Sequence, residues 1–329
     1  METILQIRNL RKYFPIKSSF FGGERANVHA LEKIDLDVYQ GETLGVVGES
    51  GSGKSTLGRT IIGLEQPTSG EVFFQGRNVA SLKGKDLKRF RENIQMVFQD
   101  PYASLNPRLS VGHAIAEPLK AYRKLRSKEE LSRAAEELLT RVGLQPKMAS
   151  QYPHNFSGGQ RQRIGIARAL SLSPKILICD EAVSALDVSV QSQILNLFNR
   201  LKKEFNLTYI FIAHDLSVVR YISDRIMVLY LGMVMEIAPK DELFKHKYHP
   251  YTESLISASP EPTTKSSKER IILTGEIPSP IHPPSGCKFN TRCFRRMERC
   301  ATEEPELREI APHHFIRCHL YEGKGVVHA

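Results

Sequence analysis

The chain has 329 residues, a formal net charge of +10, 41% hydrophobic residues and 25% charged residues. This length suggests about two domains, and the composition is that of an ordinary globular protein. No apolar run approaches the roughly 18–20 residues that cross a bilayer, and the beginning of the chain lacks the basic-then-apolar layout of a signal peptide. We therefore expect a cytosolic protein whose charge admits nucleic acid, a membrane surface or an anionic ligand as partner.

The first predicted elements are half-buried strands. Apolar and polar residues alternate from Ile4 to Leu10 and from Ile34 to Val38, which is the period of a strand with one face in the core. The stretch 15–27 between them is expected to be irregular. Tyr13 follows the first strand, and its ring is a candidate platform for an adenine base, although an aromatic residue at such a place more often belongs to the core.

A glycine-rich segment, the phosphate loop, lies between an apolar strand predicted over Thr43–Val47 and a helix predicted over Leu57–Leu64. Glycines let successive backbone N–H groups turn toward phosphate oxygens, Lys54 supplies a cation for the β and γ phosphates, and the Ser55 hydroxyl is placed to bind Mg²⁺. The candidate nucleotide-binding residues of this loop are Gly48, Ser50, Gly51, Gly53, Lys54, Ser55 and Thr56.

The next stretch combines short strands with helical segments. Strands are predicted at Glu71–Gln75 and Ile94–Phe98, with an exposed helix at Lys83–Glu92 between them. The second strand leads directly to Gln99. From Val111 to Leu144 the apolar residues recur with a period of 3.6, which predicts a helical insertion.

A second candidate anion site is formed by Ser157, Gly158, Gly159 and Gln160, which open a predicted helix. The unpaired N–H groups of a helix start and the helix dipole both favour negative charge.

Buried strands alternate with helices in the following part of the chain. Apolar runs at Lys175–Cys179, Tyr209–Ala213 and Arg225–Tyr230 are typical of strands covered on both faces, and a helix is predicted at Val188–Phe205. This alternation indicates an α/β fold with a mostly parallel sheet.

Two carboxylates, Asp180 and Glu181, end the first of these buried runs. The aspartate can hold a Mg²⁺ shell, and the glutamate can polarise a water for in-line attack on a γ phosphorus. An isolated Asp-Glu pair is commonly a solvated strand end. Here the pair follows a phosphate loop and a Ser-Gly-Gly-Gln helix start, which favours the phosphate chemistry.

Six motifs in this order resemble those of the nucleotide-binding subunits of ABC transporters. The matches are Walker A at 48–56, the Q-loop at Gln99, the signature at 155–160, Walker B at 176–181, the D-loop at 184–187 and the switch histidine at His214. The resemblance covers roughly residues 1–240. It implies a P-loop ATPase core with an antiparallel N-terminal β subdomain and a helical subdomain at about 100–160.

The resemblance also implies an active Mg²⁺–ATPase and assigns roles by position. Tyr13 would stack on adenine, Glu181 would be the catalytic base, and His214 would contact the γ phosphate. Gln99 would sense the nucleotide and couple it to a membrane subunit. The Mg²⁺ ligands that it implies are Ser55, Gln99 and Asp180.

The signature is expected to act on the nucleotide of another subunit. Ser157 and Gly159, with their neighbours Gly158 and Gln160, would reach a nucleotide held by a second ATPase subunit, and Asp187 belongs to the D-loop nearby. The resemblance therefore implies a dimer in which neither chain has a complete site.

A narrower resemblance extends over nearly the whole chain and is closest to the F-type ATPases of oligopeptide and dipeptide importers. It rests on residues 10–15, 181–190, 249–252, 275–280 and 283–293. It implies as partners a second ATPase subunit, the D-type paralogue, together with two transmembrane permease subunits and an extracytoplasmic peptide-binding protein. The chain would then lie at the cytoplasmic face of the plasma membrane and bind no nucleic acid.

Three alternative functions stay open. A soluble ABC ATPase acting on nucleic acid or ribosomes would suit the positive charge. Against it, translation factors of this kind carry two cassettes, repair members insert a long coiled coil, and this chain has one cassette and no heptad tract. An export pump, or an importer of another solute such as nickel, is not excluded by the motifs.

The end of the chain concentrates four of the five cysteines, Cys287, Cys293, Cys300 and Cys318. In a reducing compartment such clustering favours a metal over disulfides, and four thiolates suit Zn²⁺ or a [4Fe–4S] cluster. The resemblance favours the cluster. Further candidate ligands are His313, His314 and His319, although histidines in a polar segment are usually solvated. Cys179 is predicted to be a core residue.

The expected organisation is thus an ABC nucleotide-binding domain at 1–240, a helix and Pro-rich linker at 241–285, and a small Cys-rich extension at 286–329. The extension is too short to bury much of a core, which is a reason to expect a metal or a cross-link there.

Overall fold

A computed structural model describes residues 2–16, 26–100, 102, 104–122, 124–258 and 270–322. Most of the predicted irregular stretch, residues 17–25, lies outside the described residues. So do residues 259–269 of the predicted Pro-rich linker and residues 323–329 of the predicted extension.

The described strands alternate with helices along most of the chain. The strands are β1 (Thr3–Pro15), β2 (Asn27–Tyr39), β3 (Thr43–Val47), β4 (Ser69–Phe74), β5 (Arg77–Asn78), β6 (Ile94–Val97), β7 (Ile176–Asp180), β8 (Thr208–Ile212), β9 (Arg225–Tyr230), β10 (Met233–Pro239), β11 (Arg308–Ala311) and β12 (His314–Ile316). The α-helices are α1 (Lys54–Ile61), α2 (Gly84–Asn93), α3 (Val111–Ala121), α4 (Lys128–Arg141), α5 (Gly158–Leu170), α6 (Val188–Phe205), α7 (Leu216–Ile222), α8 (Lys240–His246) and α9 (Pro250–Ala258).

The chain divides into two compact units, of which the first contains the residues up to 81 and those from 213 onward. An antiparallel sheet in the order β2-β1-β4-β5 forms one layer of this unit. A second set of strands runs in the order β11-β12-β10-β9-β3, where β3 and β9 are parallel and the other pairs are antiparallel.

Strand β3 is the central support of the phosphate loop, because it leads directly into it. All five of its residues are buried. Helix α7 packs so closely on the strand that a Cβ at Gly45 would lie 2.1 Å from Val219 Cγ1. On the other side of the loop, α1 buries Leu57 and Ile61. The loop is thus anchored at both ends in the core of the first unit.

The residues beyond the predicted domain end near residue 240 return to the same unit. Strand β12 pairs with β10, and Ile237 lies opposite Phe315. Strands β11 and β12 contain four and three residues, which is too short to show a period in the sequence. The sequence pattern therefore does not predict them, and β10, α7 and α8 were not predicted either.

The second unit, residues 82–212, carries three parallel strands in the order β8-β7-β6. The predicted helical insertion between Val111 and Leu144 contains the two helices α3 and α4. Helix α4 begins in a capping box, in which the Ser127 side chain and the Glu130 side chain each bind the other's backbone N–H. Both helices pack with α5.

The predicted α/β class, the antiparallel N-terminal sheet and the helical segment are confirmed. Within the described ranges, no helix is both long enough and apolar enough to cross a membrane.

Candidate nucleotide-binding site

The phosphate loop depends on glycine at both ends. A Cβ at Gly48 would lie 2.1 Å from the backbone oxygen of Leu229, and one at Gly53 would lie 2.3 Å from that of Ala30. Gly53 also has a backbone φ of 99°, which residues other than glycine rarely adopt. Because neighbouring backbone leaves no space for a side chain at either position, the loop can follow this path only with glycine.

Lys54 is the first residue of α1, and its ammonium group contacts the backbone of the preceding loop. The Nζ atom donates to the backbone oxygens of Gly48, at 2.8 Å, and Glu49, at 2.9 Å. The side chain is 5% exposed. A buried cation held by loop carbonyls keeps positive charge at the start of the helix, where an anion is also favoured by the helix dipole.

The cap residue at the N-terminus of α1 is Gly53, which makes no side-chain capping hydrogen bond. Ser55 and Thr56 follow in the first turn and are half-buried, whereas Ser50 and Gly51 are exposed. The loop therefore combines a helix start whose cap residue is glycine with a buried ammonium group, which is an arrangement suited to phosphate.

Glu49 is the residue of the loop with contacts to distant parts of the sequence. Its backbone N–H donates to the Tyr251 hydroxyl at 2.9 Å, and its carboxylate forms an ion pair with Arg292. These three residues were not predicted to form a group. No spacing rule could have done so, because Glu49 and Arg292 are 243 residues apart.

Tyr13 lies in β1, where its ring already has a neighbour. Its centroid is 4.3 Å from that of His29, and its hydroxyl donates to the Glu32 carboxylate. Burial, together with the Glu32 carboxylate, raises the pKa of the Tyr13 hydroxyl to about 12. The phenol therefore stays neutral at physiological pH, and the ring is held in a fixed orientation.

His214 is exposed and lies just after β8, in the first unit. The preceding residue, Ala213, donates its N–H to the backbone oxygen of Val46 at 3.1 Å. Val46 lies in β3, so the chain that carries His214 runs beside the strand that leads into the phosphate loop.

In the second unit, the two predicted carboxylates lie at the end of β7. Asp180 is 2% exposed, and Glu181 follows with φ of 46°. This left-handed conformation costs a non-glycine residue about 1–2 kcal/mol. The Glu181 N–H donates to the backbone oxygen of Ile212 at 3.0 Å, and its carboxylate accepts from Gln99 Nε2 at 2.8 Å. Gln99 and Glu181, predicted separately, are in contact.

The predicted second anion site is a capped helix start. The Ser157 hydroxyl accepts from the Gln160 N–H, and the Gln160 side chain accepts from the Ser157 N–H, which is a capping box. The Ser-x-x-Gln spacing could have predicted it. The box uses two of the backbone groups expected to face an anion and does not use those of Gly158 and Gly159.

The two signature glycines have different surroundings. A Cβ at Gly159 would lie 2.4 Å from Val190 Cγ1 in α6, whereas one at Gly158 would meet Leu186 Cδ2 at an ordinary 3.6 Å. Gly159 is therefore required by helix packing. Asp187 also has a structural role, because its carboxylate caps α6 by accepting from the Val190 N–H at 2.9 Å.

The four cysteines of the C-terminal segment line one small cavity, together with residues that include His249 and Phe289. Burial, together with the neighbouring cysteines, raises the pKa of the Cys287 thiol to about 11 and that of the Cys318 thiol to about 12. Within the described part of the chain, no three His, Cys, Asp or Glu side chains are grouped closely enough to hold a metal ion.

Of the three candidate histidines of this segment, His313 is exposed, whereas His314 and His319 are more buried than expected. His314 is fully buried and its Nε2 lies 2.7 Å from a Glu236 oxygen. His319 is also buried and is hydrogen bonded to Glu322. The expectation of solvated side chains is wrong for these two. Cys179, in β7, is fully buried, as predicted for a core residue.

Comparison with known proteins decides the family. The ABC transporter family model matches residues 31–184, and the model of the oligopeptide/dipeptide transporter C-terminal region matches residues 235–300. The oligopeptide transport ATP-binding protein AppF of Bacillus subtilis is 53% identical over 97% of this chain and 98% of its own length. The chain belongs to the ABC transporter family.

Further relatives agree over most of the chain. The oligopeptide transport ATP-binding protein OppF of Haemophilus influenzae is 48% identical over 96% of this chain and 97% of its own length. Among solved structures, the dimeric ATP-binding cassette MJ0796 bound to ADP and Pi has a TM-score of 0.64 and 31% identity, covering 72% of this chain and 99% of that one. As a member of the family, the chain is an ABC ATPase that binds ATP.

Proposed function

We propose that the chain is the ATP-hydrolysing F-type subunit of an importer for oligopeptides or dipeptides. The observation that carries the proposal is one chain matching both the ABC transporter model and the oligopeptide/dipeptide C-terminal model. The names of relatives about 50% identical over nearly the whole chain support the same substrate class.

The phosphate loop is the proposed binding site for the triphosphate. The start of α1 after Gly53 and the Lys54 ammonium would bind the β and γ phosphates, and Tyr13 would contact the adenine. The hydroxyl of Ser55 would be a ligand of Mg²⁺, which would neutralise charge on the phosphates.

In the second unit, Asp180 and Gln99 would add to the Mg²⁺ shell and Glu181 would accept the proton of the attacking water. The hydrogen bond between Gln99 and Glu181 supports a shared role, since it orients the carboxylate. His214 would contact the γ phosphate.

The proposed active form is a dimer of ATPase subunits. Gly158 and Gly159, whose N–H groups the capping box leaves unused, would bind the nucleotide of the second subunit, with Ser157, Gln160 and Asp187 beside them. The proposed partners are the D-type paralogue, two permease subunits and an extracytoplasmic peptide-binding protein, at the cytoplasmic face of the plasma membrane.

The proposed cofactor of the C-terminal segment is a [4Fe–4S] cluster, with zinc as the alternative. Four thiols around one cavity support a metal group of some kind. Zinc would be held by the same four thiolates. The thiols would bind as thiolates and the cluster would tie the segment together.

The test is ATP hydrolysis by the complete transporter in proteoliposomes. The chain is assembled with its paralogue, the permeases and the binding protein, and hydrolysis is measured with and without oligopeptides of increasing length. Stimulation by peptide is expected. Stimulation by RNA or DNA of the isolated chain, without any response to peptide, would refute the importer and favour the nucleic-acid alternative. A response to nickel alone would change the substrate class.

A further inference from the structure

Glu49 is the residue of the phosphate loop that is held from three directions. Its backbone oxygen accepts from Lys54 Nζ at 2.9 Å, and its backbone N–H donates to the Tyr251 hydroxyl at 2.9 Å. Its carboxylate accepts from Arg292, with Nη1 to Oε2 at 2.6 Å and Nη2 to Oε1 at 3.1 Å. The carbonyl that holds the lysine therefore belongs to a residue whose position is set from outside the loop.

The contact with Arg292 has the geometry of a strong ion pair. Two parallel N–H···O bonds join the guanidinium to both oxygens of the carboxylate, which only arginine can do. The side chains of Arg292 and Glu49 are 9% and 22% exposed, so water screens the pair little. Arg292 also donates to the Tyr230 hydroxyl at 3.4 Å. A surface ion pair would contribute little, whereas this one is largely enclosed.

The backbone that carries Arg292 is itself fixed in the unit. Phe289 is fully buried, and its ring packs against those of Tyr230 and Tyr251 at centroid distances of 5.3 Å and 5.2 Å. The Arg292 N–H donates to the backbone oxygen of Phe289 at 3.1 Å. Tyr251 therefore supports the loop twice, through its hydroxyl on Glu49 and through its ring under Phe289.

Arg292 lies between the first two cysteines of the C-terminal segment. Cys287 begins this turn, and its N–H donates to the backbone oxygen of Cys300 at 2.9 Å. Cys293 directly follows Arg292 in the chain. The residue that holds the phosphate loop is thus part of the turn built around the cysteine cavity.

We propose that Arg292 is a positioning residue for ATP binding. Together with Tyr251 it fixes Glu49, and the Glu49 carbonyl in turn holds the Lys54 ammonium for the phosphates. The Cys-rich segment thereby acts on the nucleotide site through one side chain. This inference rests on the proposed role of the phosphate loop in binding ATP, and it holds whichever metal group the cysteines bind.

The test is the dissociation constant of Mg²⁺–ATP, measured on the full chain together with its thermal unfolding. Arg292→Met replaces the charged guanidinium with an apolar side chain. Glu49→Gln removes the partner charge and leaves the sequence of the Cys-rich segment unchanged. Each is expected to weaken ATP binding about tenfold, which is the effect of losing a charge-assisted hydrogen bond. Because they break the same pair, the double variant is expected to bind no more weakly than either single one.

Controls separate positioning from folding. Arg299→Gln breaks an ion pair with Glu303 and Glu322 in the same segment that does not reach the loop, and ATP affinity is expected to stay unchanged. Arg292→Lys keeps the positive charge but cannot donate two parallel hydrogen bonds, and it should recover part of the ATP affinity that Arg292→Met loses. If Arg292→Met and Glu49→Gln unfold at the same temperature as the parent protein but bind ATP more weakly, Arg292 has a positioning role.

Two contrary results are distinguishable. If Lys54→Ala loses ATP binding while both Arg292→Met and Glu49→Gln bind like the parent, Arg292 has no positioning role and the proposed ATP site stands. If the affinity losses of the two single variants simply add in the double variant, the pair does not act as a unit and the inference is also refuted. If the parent and Lys54→Ala bind ATP equally well, both the proposed site and the inference fail.

Discussion

The phosphate loop and the Cys-rich segment belong to the same compact unit but are held in place by different kinds of contact. The loop follows from local features: a buried strand, glycines that no other residue can replace, and a helix that begins at Lys54. The segment around Cys287–Cys300 depends on side chains that reach distant parts of the chain, such as Arg292 with Glu49.

Other contacts of the C-terminal segment have the same long-range character. Lys33 in β2 pairs with Glu304 at 2.8 Å, and Arg317 donates to the backbone oxygen of Val234 at 3.0 Å. The backbone path of the loop, which is set locally, should persist when distant side chains are changed, except at Glu49, which Arg292 and Tyr251 hold. The Cys-rich segment should be more sensitive to such changes.

The largest expected effect is at the end of β7. Glu181→Gln should slow ATP hydrolysis by about 10²–10⁴-fold, because it removes the proposed base, and it should leave ATP binding intact. Single-turnover hydrolysis and equilibrium binding measured on the same sample separate the two. Glu204→Gln, on an exposed side chain of α6, is the matched control. Parent-like turnover in Glu181→Gln would mean that another residue is the base.

The next effect is in the phosphate loop itself. Lys54→Ala should weaken ATP binding by about 10–100-fold, since a buried cation that makes charge-assisted hydrogen bonds is lost. Titration with a fluorescent ATP analogue measures this. Lys85→Ala, on an exposed residue of α2, should bind normally. Equal affinity of the two variants would remove Lys54 from the site.

A smaller effect on ATP is expected from the cysteines. Cys287→Ser should lower the iron content of the anaerobically purified protein, reduce its visible absorbance and weaken ATP binding by no more than the about tenfold expected of Arg292→Met. Iron and zinc analysis and ATP titration check this. Cys179→Ser, in a buried strand outside the segment, should retain the iron.

An iron-free, colourless parent protein that contains zinc would replace the cluster with the zinc alternative. A Cys287→Ser variant without metal but with full ATP affinity would show that the metal group is not needed for Arg292 to hold Glu49.

The last and smallest expected effect is on stability, and it differs between the two glycines of the signature. Gly159→Ala should lower the free energy of unfolding by about 1–3 kcal/mol, because its Cβ would collide with Val190, whereas Gly158→Ala should change it little. Denaturant unfolding of both variants is the measurement. Equal stabilities would mean that α5 and α6 can separate without cost.

Much of the fold could be predicted because strong periodic patterns specify it. The predicted bounds of Thr43–Val47, Val188–Phe205 and Arg225–Tyr230 agree with β3, α6 and β9. Strands β11 and β12 were not predictable, because three or four residues carry no period and their order comes from pairing with β10.

The nucleotide motifs could likewise be recognised from spacing, because phosphate chemistry requires particular residue types close together in sequence. The contact between Gln99 and Glu181, and those of Glu49 with Tyr251 and Arg292, depend on the folded chain. The capping box of Ser157 and Gln160 is an intermediate case. Its Ser-x-x-Gln spacing is visible in the sequence, but the same residues were interpreted as an anion site.

The most direct test of the account is peptide uptake itself. Proteoliposomes with the complete transporter are given a labelled oligopeptide, its binding protein and internal ATP, and labelled peptide in the lumen is measured for the parent chain and for Glu181→Gln. We predict uptake that requires ATP and the parent chain and that falls sharply in the variant. Peptide uptake that continues at the parent rate in Glu181→Gln, or that does not occur with the parent chain, would contradict an ATP-driven peptide importer.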